Sequence, residues 1–229
     1  MTLLHAVAHP AVPDSEADRA LPTLIALHGH GAHAQDLLGL GPILAHGRLL
    51  MICPQAEFAI EAGYPGFTWF RRGADQQRAP GELDRVSDLL VRFLDEVERR
   101  YPVDPERVAL LGFSQGGSLA YALALADPGR FAGLAALSTW LAPDVLGAIT
   151  PHTDVPRLPV LVQHGSHDEL ISIDKARDAC ESLRALGVEP EFHEYLMGHQ
   201  INNESARDLS LWLERVLRLS EDGDPRQSG

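Results

Sequence analysis

Three segments of this chain place reactive side chains directly after short apolar runs. The first is Gly112-Phe113-Ser114-Gln115-Gly116-Gly117, which fits G-x-S-x-G and opens a small-residue stretch of helical character. That spacing puts a serine on a sharp strand-to-helix turn, with glycines where strand and helix must pass close together. A serine hydroxyl is a poor nucleophile until a base takes its proton, and the base needs an acid to orient it. The second segment, Gly165-Ser166-His167-Asp168-Glu169, and the third, Met197-Gly198-His199, supply these in the order serine, acid, histidine that the motif requires. Asp168 is the preferred acid because it lies nearer the strand end; Glu169 is its rival.

The acyl transfer such a set performs builds negative charge on a carbonyl oxygen, which needs at least two N–H donors. One should come from Gln115, just after the nucleophile. The other is assigned to His30, in the loop His28-Gly29-His30-Gly31 after the apolar run 23–27. The same stretch admits a rival reading, since His28, His30 and His33 have the spacing of a metal cluster like the first zinc motif of metallo-β-lactamase-type hydrolases. Ala32 stands where an Asp is then expected, and with a serine set complete we assign no metal. The chain has 11 histidines, and His199 is distinguished by position: after the last strand, before the last helix. His164 and His167 read as supporting or loop-structuring residues, and His193 as a packed or rim residue.

The elements that must hold these residues alternate. Runs at 23–27, 49–53, 108–113, 134–138, 159–164 and 192–196 are short, apolar and bounded by turn residues, as buried strands are. Leu83, Val86, Leu89, Leu90, Phe93, Leu94 and Val97 recur at three and four, predicting an amphipathic helix over 83–100. Further helices are expected over 117–126 and 174–186 and around Leu209–Leu217. Such alternation predicts an α/β fold: a mostly parallel sheet with helices on both faces, ligands binding beyond the carboxyl ends of the strands. One domain is expected over 1–219, with a frayed polar tail over 220–229.

Composition narrows the function. The 229 residues are 45% hydrophobic and 22% charged, enough for a two-faced core. A net charge of −13, from 19 basic and 32 acidic residues, argues against nucleic acid or an anionic membrane as partner. Cys53 and Cys180 form no metal or redox motif and read as reduced thiols. Met1–Pro10 lacks the pattern of a signal peptide, and no apolar run reaches membrane-spanning length, so a soluble cytoplasmic protein is expected.

With these motifs assembled, the chain resembles the phospholipase/carboxylesterase family of α/β-hydrolases, which includes the acyl-protein thioesterases. The resemblance runs from about residue 22 to 217. It rests on Leu27-His28-Gly29-x-Gly31, Gly112 to Gly117, Leu137-Ser138-x-Trp140-Leu141, His164-Gly165-x-x-Asp168 and Gly198-His199. It implies an α/β-hydrolase fold, a Ser114–Asp168–His199 triad, and His30 and Gln115 N–H groups as oxyanion hole. Departures bear on substrate. His30 and Ala32 replace the Leu or Met and the Asp usual in the thioesterases, and Thr68-Trp69-Phe70-Arg71 replaces Ser-Trp-Phe-Asp.

The expectation is therefore a serine carboxylesterase for short- to medium-chain esters, without a cofactor, acting as monomer or homodimer on a small molecule. A thioesterase or lysophospholipase with the same triad, or a catalytically silent ligand receptor, are the alternatives. The stretch between Ser138 and Pro159 is too short for a large helical cap. The 62–82 loop, with Tyr64, Phe67, Trp69 and Phe70, is expected as wall or partial cover. Trp69, Trp140, Leu170 and Met197 are the candidates for the substrate pocket, unless the tryptophans merely pack the loop. Arg71 and Arg72 read as a solvated pair that could otherwise favour an anionic substrate.

Overall fold

A computed structural model describes residues 3–10, 19–61, 63, 65–71, 73, 78–148 and 155–219. The expected tail at 220–229, with Tyr64, Arg72 and His152, lies outside them. In chain order the elements are β1 (His5–Ala8), β2 (Leu21–Leu27), β3 (Leu50–Pro54), β4 (Phe58–Ala59), β5 (Phe67–Thr68), α1 (Glu82–Arg100), β6 (Val103–Phe113) and α2 (Gln115–Ala126). They continue with β7 (Gly133–Leu137), α3 (Pro143–Ala148), β8 (Val160–Gly165), α4 (Asp174–Ala185), β9 (Glu191–Tyr195) and α5 (Asn203–Val216).

Seven strands form one sheet in the order β1-β3-β2-β6-β7-β8-β9, parallel throughout except for β1, which runs antiparallel to β3. The apolar runs fill it without alternation because both faces are covered. Ile25 and Leu27 join the core beneath α1, α2 and α4, while Leu24 and Ala26 join the one beneath α5 and the turns around Leu37–Ala45. The α1 pattern behaves as its spacing predicts: Leu83, Val86, Leu89, Leu90, Phe93, Leu94 and Val97 are all buried. Glu82 and Asp84 in its first turn and Arg99 and Arg100 in its last complement the helix dipole. Truncating Phe93, fully buried in this layer, to alanine should cost about 3–5 kcal/mol.

Strand β6 begins five residues earlier than the apolar run announces. Val103 pairs with Leu21, and an irregularity before the Thr23–Val108 pair absorbs the intervening polar residues. Asp104 makes this possible by accepting the Glu106 N–H at 3.1 Å and the Arg107 Nε–H at 2.6 Å. The segment joining β7 to β8 carries only α3 and a short turn at Val155–Arg157 among the described residues, so no large cap is built there. This is the α/β-hydrolase arrangement, with the site segments at the carboxyl ends of β2, β6, β8 and β9. No helix among the described residues is long and apolar enough to cross a membrane.

Candidate active site

Ser114 sits between β6 and α2 with φ 53° and ψ −120°, a conformation that non-glycine residues rarely adopt. The fold compels it from three sides. Its N–H donates to the Leu137 carbonyl at 3.0 Å, and its own carbonyl accepts the Gly117 N–H at 2.9 Å and the Thr139 hydroxyl at 2.7 Å. A side chain on Gly112 would collide with the Gly116 backbone, and one on Gly116 with the carbonyls of Leu27 and His28. The glycines of G-x-S-x-G therefore serve close approach of β6, α2 and β2, and the backbone strain falls on the serine itself.

The loops after β8 and β9 bring Asp168 to His199. Asp168 Oδ2 accepts from His199 Nδ1 at 2.7 Å. Its other oxygen accepts the Leu170 and Ile171 N–H groups, each at 2.9 Å. Burial would raise the Asp168 carboxyl, but the N–H groups of Ile171 and Leu170 and the imidazole outweigh it and hold it below the usual range. Glu169, the rival acid, is exposed, whereas Asp168, the preferred one, is the carboxylate that meets His199. His164, fully buried, donates its Nε2–H to the Ile171 carbonyl at 2.8 Å and lies 3.3 Å from Asp168 Oδ2. The His199 loop is fixed at both ends: the Met197 carbonyl accepts the His167 N–H, and Asn202 caps α5 in a reciprocal bond pair with Ser205.

Ser114, Gln115, His30 and His199 line one cavity of about 610 Å³, ordinary for a small-molecule site. Gln115 opens α2, where the N–H groups lack intrahelical acceptors. The loop carrying His30 is pinned to β5: the Gly31 N–H donates to the Phe67 carbonyl, and the Phe67 N–H to the Ala32 carbonyl, both at 2.9 Å. Gly31 has φ +85°, the left-handed region that favours glycine. Gly29 does not share that angle; it is needed for room, lying against Phe113 and Ser114.

Of the four pocket candidates, Trp140 and Leu170 line the cavity, and Leu170 stands 77% exposed at its rim. Trp69 and Met197 do not. Trp69 is buried behind the site, its indole N–H bonded to the His28 carbonyl at 2.8 Å; Met197 is buried too and contributes its backbone. The described residues of 62–82 likewise line none of the cavity, because β5 and Trp69 pack inward against the His28 loop. The walls come instead from Leu37, Leu40, Phe113, Ile171 and Ile201, with Asp36 among them. Ile201, two residues past His199, was open to inference; Leu37 and Leu40 carried no periodicity to separate them from an ordinary loop.

Two histidines of the cluster, His28 and His33, have other partners. His28 donates its Nδ1–H to the Gly29 carbonyl at 2.8 Å and accepts the Ala56 N–H on Nε2 at 3.1 Å. Burial, only partly offset by that carbonyl, lowers its pKa, and the ring is held neutral. His33 accepts the Gln35 N–H on Nδ1 and faces Asp36 with Nε2. His193, paired with Glu191, lies away from the cavity. Arg71 is exposed, as a solvated loop residue is, yet its guanidinium and N–H both bind the buried carboxylate of Glu82.

A family model described as phospholipase/carboxylesterase matches residues 8–217. Acyl-protein thioesterase 1 of Mycosarcoma maydis is 29% identical over 218 residues, covering 85% of this chain and 91% of that protein. Lysophospholipase-like protein 1 of Mus musculus is 27% identical over 235 residues, covering 95% of this chain and 96% of that one. Among solved structures, a carboxylesterase of Bacillus cereus superposes with a TM-score of 0.77 at 20% identity, over 93% of this chain and 94% of that one. At that identity the likeness is one of fold.

Proposed function

Because the chain belongs to the phospholipase/carboxylesterase family, we propose that it is a serine carboxylesterase acting on short- to medium-chain carboxylic esters. The observation that carries this reading is the 2.7 Å bond between His199 and Asp168 beside a cavity that also holds Ser114 on its strained turn. Ser114 Oγ attacks the ester carbonyl carbon while its proton passes to His199. Asp168, held as a carboxylate, orients the imidazole and stabilises the imidazolium that forms. The N–H groups of His30 and Gln115 bind the oxygen that becomes negative. His199 then protonates the departing alcohol. A water molecule, deprotonated by His199, releases the acid and restores Ser114.

The mostly apolar walls support a small hydrophobic acyl or alcohol group, and the modest volume favours shorter chains. The free, buried thiols of Cys53 and Cys180 support a reducing compartment such as the cytoplasm. A thioesterase or lysophospholipase would use the same atoms, so substrate preference decides between them. Hydrolysis should be measured across a ladder of p-nitrophenyl esters and acyl thioesters. We expect kcat/KM to peak at short or medium esters; an optimum at long-chain thioesters would overturn that assignment. A fluorophosphonate should label the native chain and leave Ser114→Ala unlabelled. An unlabelled native chain would favour a silent ligand receptor.

A further inference from the structure

The two oxyanion donors sit on different elements, His30 after β2 and Gln115 at the start of α2, yet both are fastened to one short segment. Residues 67–69 hold the first through three bonds: Gly31 N–H to Phe67 carbonyl, Phe67 N–H to Ala32 carbonyl, and the Trp69 indole N–H to the His28 carbonyl at 2.8 Å. They hold the second through its side chain. Gln115 Oε1 accepts the Trp69 N–H at 3.0 Å and the Thr68 hydroxyl at 3.2 Å. The Trp69 ring also lies against the His28 ring, centroids 5.1 Å apart.

The segment is itself anchored from outside. Glu82, at the start of α1 and only 3% exposed, accepts the Arg71 N–H at 2.8 Å and the Arg71 Nε–H at 3.0 Å. It also accepts Arg85 Nε–H at 2.8 Å, and Arg85 reaches the Trp69 carbonyl at 3.4 Å. Burial would raise the Glu82 carboxyl, but the hydrogen bonds from Arg85 and Arg71 prevail and hold it at about 2. Four hydrogen bonds from Arg71 and Arg85 converge on this buried carboxylate, so the anchor is held from several directions at once.

We propose that residues 67–71 act as a splint, with Trp69 as its central positioning residue and Glu82 as its anchor, setting the spacing between the His30 and Gln115 N–H groups. The proposal rests on the reading of those groups as the oxyanion hole. Its chemical logic is that donors stabilise the tetrahedral oxygen only where it will lie, so a small displacement of one costs turnover more than substrate binding.

Trp69→Phe keeps the ring and removes the bond to the His28 carbonyl; Gln115→Ala keeps the backbone donor and removes its tether. For each variant, kcat, KM, melting and affinity for an alkyl boronic acid should be measured. That acid adds to Ser114 Oγ as a tetrahedral adduct with its oxygen in the same hole. We expect kcat and boronate affinity to fall together by about 10- to 100-fold, with KM within about threefold and the acid limb of the pH profile unmoved. A folded variant whose kcat and boronate affinity stay within about twofold of the native chain overturns the splint. So does a loss of rate that merely follows the folded fraction. Should Trp69→Phe fail to fold, Gln115→Ala decides alone. Failure of the underlying reading looks different: the native chain would then neither bind the boronic acid nor react with a fluorophosphonate.

Discussion

Asp168 accepts three hydrogen bonds, and only one comes from His199, the residue we propose as the base. The two from Leu170 and Ile171 fix the carboxylate plane, and the third fixes the His199 tautomer by requiring a proton on Nδ1. Asp168→Asn should therefore leave the fold intact and lower kcat by about 10⁴, the loss seen when the acid of such a triad is amidated. Glu169→Gln, on an exposed residue, should retain most activity. Near-normal turnover by Asp168→Asn alongside an inactive Glu169→Gln would move the acid by one residue. Since the carboxyl of Asp168 is held below its usual range, it stays ionised through mild acid.

At the scale of elements, the cavity walls come from the short turn holding Leu37 and Leu40 and from the junction of β9 and α5 holding Ile201, so under the proposed function these residues would set acyl preference. A methylene gained or lost in an apolar pocket changes discrimination by about 10-fold or more. Ile201→Ala should raise the ratio of kcat/KM for longer over shorter esters by about that factor, and Leu40→Trp should lower it. Steady-state kinetics on the p-nitrophenyl series would check both, and unchanged ratios would remove these residues from the acyl site. The walls were hard to foresee because each brings a single side chain from an irregular segment. Trp69 was misplaced for the opposite reason: an aromatic loop near a site reads as a lid, yet its indole N–H needed a buried acceptor, and the His28 carbonyl supplies it.

For the whole molecule, the Glu82 cluster links the site to acid stability. Its carboxyl falls from an ordinary 4.5 to about 2 on folding. The stability this contributes is complete above about pH 5 and disappears as the pH drops through the folded value. The Tm advantage of the native chain over Glu82→Gln should thus be largest near neutrality and shrink steadily between pH 5 and about 2. A constant difference would show that the carboxylate charge contributes nothing. Burial also pushes the Cys53 thiol up to about 12 and the Cys180 thiol up to about 11, leaving almost no thiolate at neutral pH. Iodoacetamide should consequently leave both esterase activity and melting unchanged. Chelation with EDTA should do the same, because His28 has both ring nitrogens committed to backbone partners.

The sequence by itself determined the chain order of the reactive residues: a serine on a glycine-flanked turn, then an acid and a histidine each just past an apolar run. That much is local, since G-x-S-x-G needs only close backbone approach, and buried parallel strands need only continuous apolar stretches. The amphipathic spacing of α1 is equally local. The preference for Asp168 over Glu169 rested on distance from the strand end, and tertiary structure added the contact: Asp168 turns inward to His199, 31 residues away, while Glu169 is exposed. It also gave the exposed loop cation Arg71 a buried partner in Glu82, and placed Trp69 behind the cavity rather than in its wall. These depend on pairings between distant segments, where a buried polar atom must find a partner that no local pattern names.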